Sequence, residues 1–396
     1  MATLKNSFPF QLIMHEAIAI TNKGAEDVAA EEIKELIGSK AEVSETLAKF
    51  SIKDYSELCT VCYRSQSISK AVLLLFEFKV EKELDKTVKN LTGSLKKDGI
   101  SEWFLGKYKV ESGREGEHDF HSVDVGAEAS KCLFELMKKT GKPEIDYDLP
   151  DVIFYIYIYG NSGYFGVDFA GIDLSKRQYK IFNHPEALKG TTGYAVLRKA
   201  GIKKDSVIVD PFMGSGVIVI EAALYAMGFP VHYYSKDRLF FTNFEFFKKY
   251  GEKKFFEMHD KKIKREMTNV SGYDFQLRFL NAAQKNAKLA GVDKYITLSK
   301  KEVEWMDMKF GKNNVDFIIS DPPRMSKHKD VGLMRKIYNE LFYQAEYILK
   351  KTGKVVLLAK EYELLDEYAK THKFKLKKQY SLNQGRELFN ILVWGR

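Results

Sequence analysis

The chain has 396 residues, of which 45% are apolar and 30% are charged, the composition of a globular protein with room for two or three domains. It contains no run of about 18 apolar residues that could span a membrane, and its first residues lack the basic, apolar and small-residue order of a signal peptide. The sequence therefore predicts a cytoplasmic protein, and its three cysteines are too few for a disulfide framework.

The net charge of +9 indicates a polyanionic partner, although a lysine-rich surface without such a partner is the alternative. Lysine pairs are scattered along the chain, for example at residues 96–97, 253–254 and 300–301. This spread favours a diffuse basic face over a single basic tail. Phosphate contacts from such a face would give salt-sensitive binding, with specificity left to the shape of an RNA.

The first part of the chain alternates between strand and helix patterns. Residues 16–20 predict a strand, residues 28–37 an amphipathic helix and residues 55–68 a second helix. An apolar strand at residues 71–78 and a charged helical stretch at residues 81–103 follow.

The second predicted helix contains the pair Cys59 and Cys62. A Cys-x-x-Cys pair can be redox-active or half of a zinc site, but the sequence has no second pair to complete four ligands. Beside Leu58 and Val61, the two cysteines are better interpreted as helix packing.

The next stretch predicts a compact α+β unit. Residues 107–110 predict a strand, residues 122–125 a strand-to-helix turn and residues 127–139 a helix. Residues 153–159 alternate aliphatic side chains with tyrosines and return, through a Gly-Asn-Ser-Gly turn, as a strand at residues 164–169. The tyrosines could stack on bases, but a hairpin with one face on the helices and the other at the surface is the favoured interpretation.

The second half begins with a short apolar run, Val-Ile-Val at residues 207–209, which is typical of a strand buried on both faces. Asp-Pro-Phe-Met-Gly-Ser-Gly follows at residues 210–216, and then a helical pattern. Gly214 and Gly216 permit backbone torsions that other residues avoid and let a ligand approach the main chain. Strand, turn and helix in this order predict a nucleotide-binding loop.

Three further predicted strands are each followed by an acidic residue: Asp274, Glu302 and Asp321. Because the carboxyl ends of parallel strands meet at one edge of a sheet, we expect these residues and Asp210 to line one crevice. A carboxylate at the tip of the second strand can accept both hydroxyls of a ribose.

Gly216 and Asp274 are separated by far more than the ~20 residues of a minimal strand-helix-strand unit. Residues 237–269 therefore predict an insertion, and their composition favours a helical one. Its many phenylalanines could bind RNA, but a small local core is the favoured interpretation.

The remaining elements complete an α/β sheet. Gly291 is a stop signal for a helix at residues 279–290. The later pattern predicts helices at residues 334–349 and 361–371 and strands at residues 355–359, 374–380 and 388–394. The last two strands are adjacent in sequence, so they predict an antiparallel edge hairpin around residues 383–386.

The acidic residues at the strand ends, with their neighbours, resemble the motifs of a known family. Residues 210–216, Asp274, Glu302 and the Asp-Pro-Pro at residues 321–323 resemble motifs one to four of class I S-adenosylmethionine-dependent methyltransferases. The longer stretch at residues 210–223 is similar to the THUMP-bearing RNA guanine-N2 methyltransferases of archaea and bacteria.

Residues 148–152, the tyrosine hairpin and residues 171–179 are similar to a THUMP domain and its exit. The resemblance implies a Rossmann-like methyltransferase domain whose mostly parallel seven-stranded sheet ends in an antiparallel hairpin. It divides the chain into an N-terminal ferredoxin-like domain (residues 1–75), a THUMP RNA-binding domain (76–176), a linker (177–200) and the methyltransferase domain (201–396). In that family the first two domains hold the acceptor stem and 3′ end of tRNA.

The resemblance also implies a cofactor, S-adenosylmethionine, and a partner, tRNA or alternatively ribosomal RNA, for a monomer that uses no metal. Asp274 and Glu302 would hold the ribose and the adenine amino group, and Phe275 would pack on the adenine. The implied cofactor-binding residues are Asp210, Phe212, Met213, Gly214, Ser215, Gly216, Asp274, Phe275 and Glu302, and the implied catalytic residues are Asp321, Pro322, Pro323 and Arg324.

Methyl transfer to a guanine amino group requires electron density on a nitrogen whose lone pair is delocalised. We expect the Asp321 carboxylate and the Pro322 carbonyl to accept hydrogen bonds from that amino group, with the two prolines fixing the loop. Residues 184–189 resemble the segment that lies over the cofactor. His184 could accept a proton there, but a structural role is favoured.

Arg324 departs from the family pattern, which usually places an aromatic residue after the two prolines to stack on a flipped base. A planar guanidinium can also stack on a base. Three functions remain open: tRNA guanine-N2 methylation, methylation of another base atom such as guanine N7 or of ribosomal RNA, and RNA binding without activity. Uracil-C5 methylation needs a cysteine nucleophile, and residues 177–396 contain none.

Overall fold

The computed structural model describes residues 14–97, 100–182, 188–324 and 330–396. The described part of the first half alternates strands and helices along the chain. Its elements are β1 (His15–Thr21), α1 (Glu26–Ile37), β2 (Ala41–Ser44), β3 (Leu47–Ile52), α2 (Tyr55–Arg64), β4 (Ile68–Lys79), α3 (Leu84–Leu95), a 3-10 helix (Ser101–Trp103), β5 (Lys107–Glu115), α4 (Ser122–Met137), β6 (Glu144–Ile145), β7 (Val152–Tyr159) and β8 (Ser162–Asp168).

The eight strands of this half form one mixed sheet in the order β2-β3-β1-β4-β8-β7-β5-β6. Strand β5 is parallel to β6 and β7, and the other neighbours are antiparallel. Strand β4 runs across the predicted boundary between residues 75 and 76, so the predicted ferredoxin-like and THUMP units share a sheet. The division of the chain into domains stays a prediction.

The buried sides of α1 to α4 pack against one face of this sheet. Cys59 and Cys62 lie in that core and are fully buried, which confirms that they serve helix packing. Burial also raises the pKa of both thiols well above its usual value, so they stay protonated.

Several predicted elements of this half have different bounds in the structure, among them α2 and α4. Helix α2 ends at Arg64, and not at residue 68, because Ile68 already begins β4. The predicted turn at residues 122–125 is the first turn of α4, where Asp124 accepts a hydrogen bond from the backbone amide of His121. This is the capping contact that starts a helix, so the helix predicted from residue 127 already begins at Ser122. The strand predicted at residues 107–110 is confirmed as the start of β5.

The opposite face of the sheet carries a second, smaller apolar cluster. Strands β7 and β8 form the predicted hairpin, with Tyr159 opposite Ser162. Tyr157 is nevertheless buried, and its hydroxyl shares a 2.5 Å hydrogen bond with the Thr46 hydroxyl. The expectation that this hairpin face is ordinary surface is therefore wrong for Tyr157, because the side chains of β1 and β3 cover it.

The described part of the second half contains a separate sheet with flanking helices. Its elements are α5 (Gly190–Ala200), β9 (Ile208–Asp210), α6 (Val217–Met227), 3-10 helices (Lys236–Arg238 and Phe240–Asn243), α7 (Glu245–Tyr250), α8 (Glu252–Asp260), β10 (Val270–Asp274), α9 (Leu277–Ala290), 3-10 helix (Asp293–Tyr295), β11 (Thr297–Lys300), 3-10 helix (Val303–Trp305), β12 (Val315–Ser320), α10 (Val331–Ile348), β13 (Leu349–Ala359), α11 (Glu363–Thr371), β14 (Lys375–Gln384) and β15 (Glu387–Gly395).

The strand order of this sheet is β11-β10-β9-β12-β13-β15-β14. The first five strands are parallel, and β15 is antiparallel to both of its neighbours. The predicted mostly parallel seven-stranded sheet with a C-terminal antiparallel hairpin is confirmed. From β9 the chain adds strands first on one side and then, from β12, on the other, so β9 and β12 flank the switch point where α/β proteins place their crevice.

The insertion between α6 and β10 is helical, as predicted, but its phenylalanines do not form a core of their own. Phe241, Phe247 and Phe255 are buried in the helix-side core of the first sheet. The Phe241 amide also donates to the Phe169 carbonyl at 2.9 Å, just beyond β8. The insertion therefore fastens the two halves together, a role that only the tertiary structure reveals.

A buried ion pair strengthens the same junction. Arg177 Nε lies 2.7 Å from Glu221 Oε1 on α6, and both side chains are fully buried. Gln66 donates to Glu221 Oε2 and the Tyr179 hydroxyl to Glu221 Oε1, each at 2.7 Å. One glutamate thus ties the start of β4 to the segment that enters the second half.

Glu221→Gln removes the charge that compensates Arg177 and is expected to lower the free energy of unfolding by about 3–5 kcal/mol, because a buried guanidinium is left without its counter-ion. Urea unfolding measures the change. The matched control is Glu367→Gln, since Glu367 pairs with Arg335 at the surface and such pairs contribute about 0–1 kcal/mol. Equal losses in the two variants would contradict the importance of the buried pair.

Candidate active site

The site begins where β9 and β12 end side by side. Asp210, the last residue of β9, accepts hydrogen bonds at Oδ1 from the Ser320 hydroxyl at 2.5 Å and from the Phe212 amide at 3.1 Å. Ser320 is the last residue of β12, and Asp321 follows it. This contact sets the start of the glycine-containing loop beside the Asp-Pro-Pro loop.

Asp210 is only 1% exposed, so its carboxyl group is buried beneath the loop and stabilises it through these hydrogen bonds. Burial raises the pKa of this carboxyl group to about 7, and the charges of Asp321 and Asp274 also raise it. The hydrogen bonds from Ser320 and Phe212 act in the opposite direction and lower it. Asp321 and Asp274 therefore both lie within electrostatic reach of Asp210 at this edge of the sheet. The expected convergence holds for Asp210, Asp274 and Asp321.

Asp274 joins the tip of β10 to the glycine-containing loop. Its Oδ2 accepts from the Gly214 amide at 3.2 Å and its Oδ1 from the Gln276 amide at 2.8 Å. Gly214 and Gly216 have φ angles of +52° and +87°, in the region that favours glycine. A Cβ on Gly216 would also stand 3.0 Å from the Ala283 side chain, so the helix after β10 packs directly on this turn.

The loop is further held by Asn286 of α9, which is fully buried. Its amide nitrogen donates to the Ser215 carbonyl at 2.9 Å and to the Phe182 carbonyl at 2.8 Å. The Phe182 amide donates back to Asn286 Oδ1 at 3.1 Å. Met213 and Ser215 are themselves buried, so their side chains pack beneath the loop and fix its shape.

Phe275 and Glu302 lie at the outer end of the same edge. The Phe275 side chain is 50% exposed directly after β10. Glu302 is exposed and precedes the 3-10 helix Val303–Trp305. The Lys301 amide donates to the Asp274 carbonyl at 3.1 Å, which holds this turn against the tip of β10. An aromatic face beside two carboxylates fits an adenosine, whose ribose and amino group offer hydrogen-bond donors.

The Asp-Pro-Pro loop follows β12, on the other side of β9 from these residues. Arg324 pairs with Asp321, with Nη2 2.9 Å from Oδ2 and 3.3 Å from Oδ1. Its guanidinium carbon lies 4.9 Å from the centre of the Phe389 ring on β15. The Tyr338 hydroxyl of α10 donates to the Pro323 carbonyl at 2.5 Å. The loop is therefore fixed by α10 and by the C-terminal hairpin.

Sequence reasoning did not single out Ser320, Tyr338 or Phe389. Ser320 could have been noted, because a hydroxyl directly before Asp321 must lie at the same strand end. Tyr338 and Phe389 come from elements far along the chain, and one aromatic residue among many carries no signal of its own. Residues 184–187 of the predicted segment 184–189, including His184, lie outside the described residues.

Among residues 14–97, 100–182, 188–324 and 330–396, no group of three or more histidine, cysteine or acidic side chains is arranged to hold a metal ion. Over the same ranges no helix combines the length and the apolar character that crossing a membrane requires. The predictions of no metal, a monomer and a cytoplasmic location stay predictions.

The sheet order, the glycine-containing loop at the switch point and the antiparallel C-terminal hairpin define a Rossmann-like methyltransferase. A family model described as the RMKL-like methyltransferase domain (UPF0020) matches residues 177–389, more than half of the chain. The chain belongs to this family.

Curated relatives extend the likeness to the first half. The tRNA (guanine(6)-N2)-methyltransferase of Methanocaldococcus jannaschii is 26% identical, over 91% of this chain and 95% of the relative. The enzyme of the same name from Archaeoglobus fulgidus is 26% identical, over 95% of this chain and 91% of the relative. The ribosomal RNA large subunit methyltransferase K/L of Photobacterium profundum is 24% identical over 83% of this chain, but over 46% of its own length.

Two solved structures share the fold over nearly the whole chain. TrmN from Thermus thermophilus superposes with a TM-score of 0.68 at 22% identity, covering 96% of this chain and 99% of that one. SMU.472, solved in complex with SAH, superposes with a TM-score of 0.79 at 19% identity, covering 97% and 98%. Both halves of the chain therefore occur together in known structures.

Asp210→Asn is expected to remove a pH dependence from stability. The pKa of Asp210 is about 7 in the folded chain and 3.8 ordinarily, so between these values the folded protein holds a proton that the unfolded chain has lost. Stability therefore falls as pH rises through this window. An asparagine accepts the same two hydrogen bonds without a charge. The variant should be more stable than wild type at pH 8, by at most about 4 kcal/mol at ~1.4 kcal/mol per pKa unit.

The test compares thermal unfolding of both proteins at pH 4 and pH 8, with Asp205→Asn as a control because Asp205 is exposed. The advantage of Asp210→Asn should vanish near pH 4. If the unfolding temperatures of this variant and wild type changed equally with pH, the Asp210 carboxyl group would have the same pKa in the folded and the unfolded protein, which would contradict the prediction.

Proposed function

We propose that this protein transfers a methyl group from S-adenosylmethionine to the 2-amino group of a guanine in tRNA. One observation carries the proposal: the two archaeal relatives named for this reaction match more than nine tenths of the chain and of their own length. The match therefore includes both the half that holds the crevice and the half that precedes it. By the same relatives, position 6 of tRNA is the proposed site of methylation.

The methyl donor would bind across the carboxyl ends of β9, β10 and β11. The glycine-containing turn of residues 212–216 is proposed to contact the donor there, and Asp274 offers acceptors for the ribose hydroxyls. Glu302 is proposed to accept from the adenine amino group, and the exposed Phe275 ring to cover one face of the base. When bound, S-adenosylmethionine supplies a methyl group on a sulfonium, which is already a good electrophile.

The Asp-Pro-Pro loop is proposed to supply the other half of the reaction. The Asp321 carboxylate and the Pro322 carbonyl accept hydrogen bonds from the guanine amino group and raise electron density on its nitrogen. The nitrogen then gains the methyl group as the methyl–sulfur bond breaks, and it gives up one proton, for which Asp321 is the acceptor. Pro322, Pro323 and the hydrogen bond from Tyr338 keep these acceptors in place.

The first half of the chain is proposed to present the tRNA. Its resemblance to a THUMP domain and the net charge of +9 support this role. The buried phenylalanines of the insertion and the Arg177–Glu221 pair fix this half to the site. A tRNA held by the first half would therefore meet the crevice at a constant distance.

Ribosomal RNA is the alternative substrate, since relatives of the K/L type act on the large subunit RNA by name. This chain spans less than half of the Photobacterium relative, however, and nearly all of the two tRNA enzymes. The tRNA assignment is therefore preferred.

Nucleoside mass spectrometry tests the reaction and its substrate together. Unmodified total tRNA incubated with the protein and S-adenosylmethionine should acquire N2-methylguanosine, and fragment mapping should place it at position 6. Ribosomal RNA treated in parallel should gain little. Finding 7-methylguanosine, a methylated pyrimidine or preferential labelling of ribosomal RNA would overturn the proposed reaction.

Asp321→Asn is expected to lower kcat by about 100-fold or more, because it removes the charged acceptor facing the amino group. Affinity for S-adenosylhomocysteine, measured by calorimetry, should change by less than about threefold, since one pair lost outside the donor site is worth little there. Asp307→Asn, at an exposed position of the same domain, is the matched control. A loss of donor affinity as large as the loss of kcat would assign Asp321 to the donor site.

A further inference from the structure

Asp321 and Arg324 form an ion pair in the loop after β12, where the proposed function places the guanine. Their side chains are 15% and 20% exposed, so both can be reached from the crevice while remaining mostly enclosed. Arg324 Nη2 contacts both carboxylate oxygens, at 2.9 Å and 3.3 Å. The two side chains therefore behave as a single polar unit.

The position of this unit is set from two sides. Phe389 is fully buried in β15, and its ring supports the Arg324 guanidinium at 4.9 Å. The Tyr338 hydroxyl donates a hydrogen bond to the carbonyl of Pro323, which lies between Asp321 and Arg324 in the sequence. A guanidinium fixed in this way loses little further conformational entropy when it forms another hydrogen bond.

The pair offers a defined order of hydrogen-bonding groups. The carboxylate provides two acceptors and the guanidinium provides donors next to them. Guanine carries the complementary order along its pairing edge: the 2-amino donor, the N1–H donor and the O6 acceptor. Asp321 with Arg324 thus repeats the acceptor, acceptor, donor order that cytosine presents to guanine in a base pair.

We propose that Asp321 and Arg324 together read the pairing edge of guanine, with Asp321 accepting from the 2-amino group and N1–H and Arg324 donating to O6. This inference rests on the proposed guanine-N2 methylation, and it adds Arg324 as a residue that selects guanine. Arg324 has five N–H donors, so one can remain on Asp321 while another meets O6.

The arrangement also explains how adenine would be rejected. Adenine places an unprotonated ring nitrogen at the position of N1–H and an amino group at the position of O6. The ring nitrogen, an acceptor, would face the Asp321 carboxylate, and the amino group, a donor, would face the Arg324 guanidinium. Acceptor would meet acceptor and donor would meet donor, so these buried polar groups would stay unpaired. An aromatic residue at position 324 could stack on either purine and would not make this distinction.

The sharpest probe is a tRNA in which 6-thioguanine replaces guanine at the methylated position. This base keeps the 2-amino group and N1–H, but its sulfur is a much weaker acceptor than O6. Wild type should show a kcat/KM about tenfold lower or more for the thio-substituted tRNA, in the range expected for one specific base contact. Stacking alone would leave the two substrates within about twofold, since sulfur does not remove the face of the ring.

Three variants assign the effect to Arg324. Arg324→Leu removes every donor, so its activity should fall on guanine and the ratio between the two substrates should approach one. Arg324→Lys keeps a donor and should retain an intermediate ratio. Arg335→Leu, a change of the same kind at an exposed ion pair on α10, should keep the wild-type ratio.

The wild-type comparison decides the question even if Arg324→Leu fails to fold, which calorimetry with S-adenosylhomocysteine would reveal. Equal kcat/KM on guanine and 6-thioguanine would overturn the inference, as would an unchanged ratio in a folded Arg324→Leu protein. A protein that forms no N2-methylguanosine on ordinary tRNA would instead contradict the proposed function. The two failures are therefore distinguishable.

Discussion

The hydrogen bond between the Ser320 hydroxyl and the Asp210 carboxyl group is the contact on which the site depends. It joins the ends of β9 and β12, the two strands at the switch point of the sheet. On one side of it the chain continues into the glycine-containing loop, and on the other into the Asp-Pro-Pro loop. The Asp210 side chain is only 1% exposed, so the carboxyl group is held there against a desolvation cost, which raises its pKa to about 7.

The second constraint is the attachment of the first half to the second. Phenylalanines from an insertion in the second half fill the core under the first sheet, and Glu221 accepts hydrogen bonds from both sides of the junction. Such an interface resists the relative motion that a simple linker would allow. An RNA bound to the first half would lie at a fixed distance from the crevice. The protein would then select one nucleotide by its distance from the bound end of the RNA.

The seven-stranded sheet and the order of its acidic strand ends could be predicted because both depend on local sequence patterns: short apolar runs, glycines at a turn and a carboxylate after each of four strands. The burial of Tyr157, the destination of the inserted phenylalanines and the contacts of Tyr338 and Phe389 could not, since each depends on an element distant in sequence. Asp321 and Arg324 are three positions apart, so their ion pair could have been predicted from the sequence, for which only stacking of Arg324 on a base was considered. The domain boundaries and the roles of individual site residues stay predictions.

The proposed function requires that the glycine-containing loop, Asp274 and Asp321 face one crevice, which receives the methyl donor on one side and a guanine on the other. A crystal structure of the protein with S-adenosylhomocysteine measures this directly. The sulfur should lie between residues 212–216 and the Asp321 carboxylate, with the ribose hydroxyls within hydrogen-bond distance of Asp274. A ligand bound elsewhere, or an Asp321 side chain directed away from the sulfur, would contradict it.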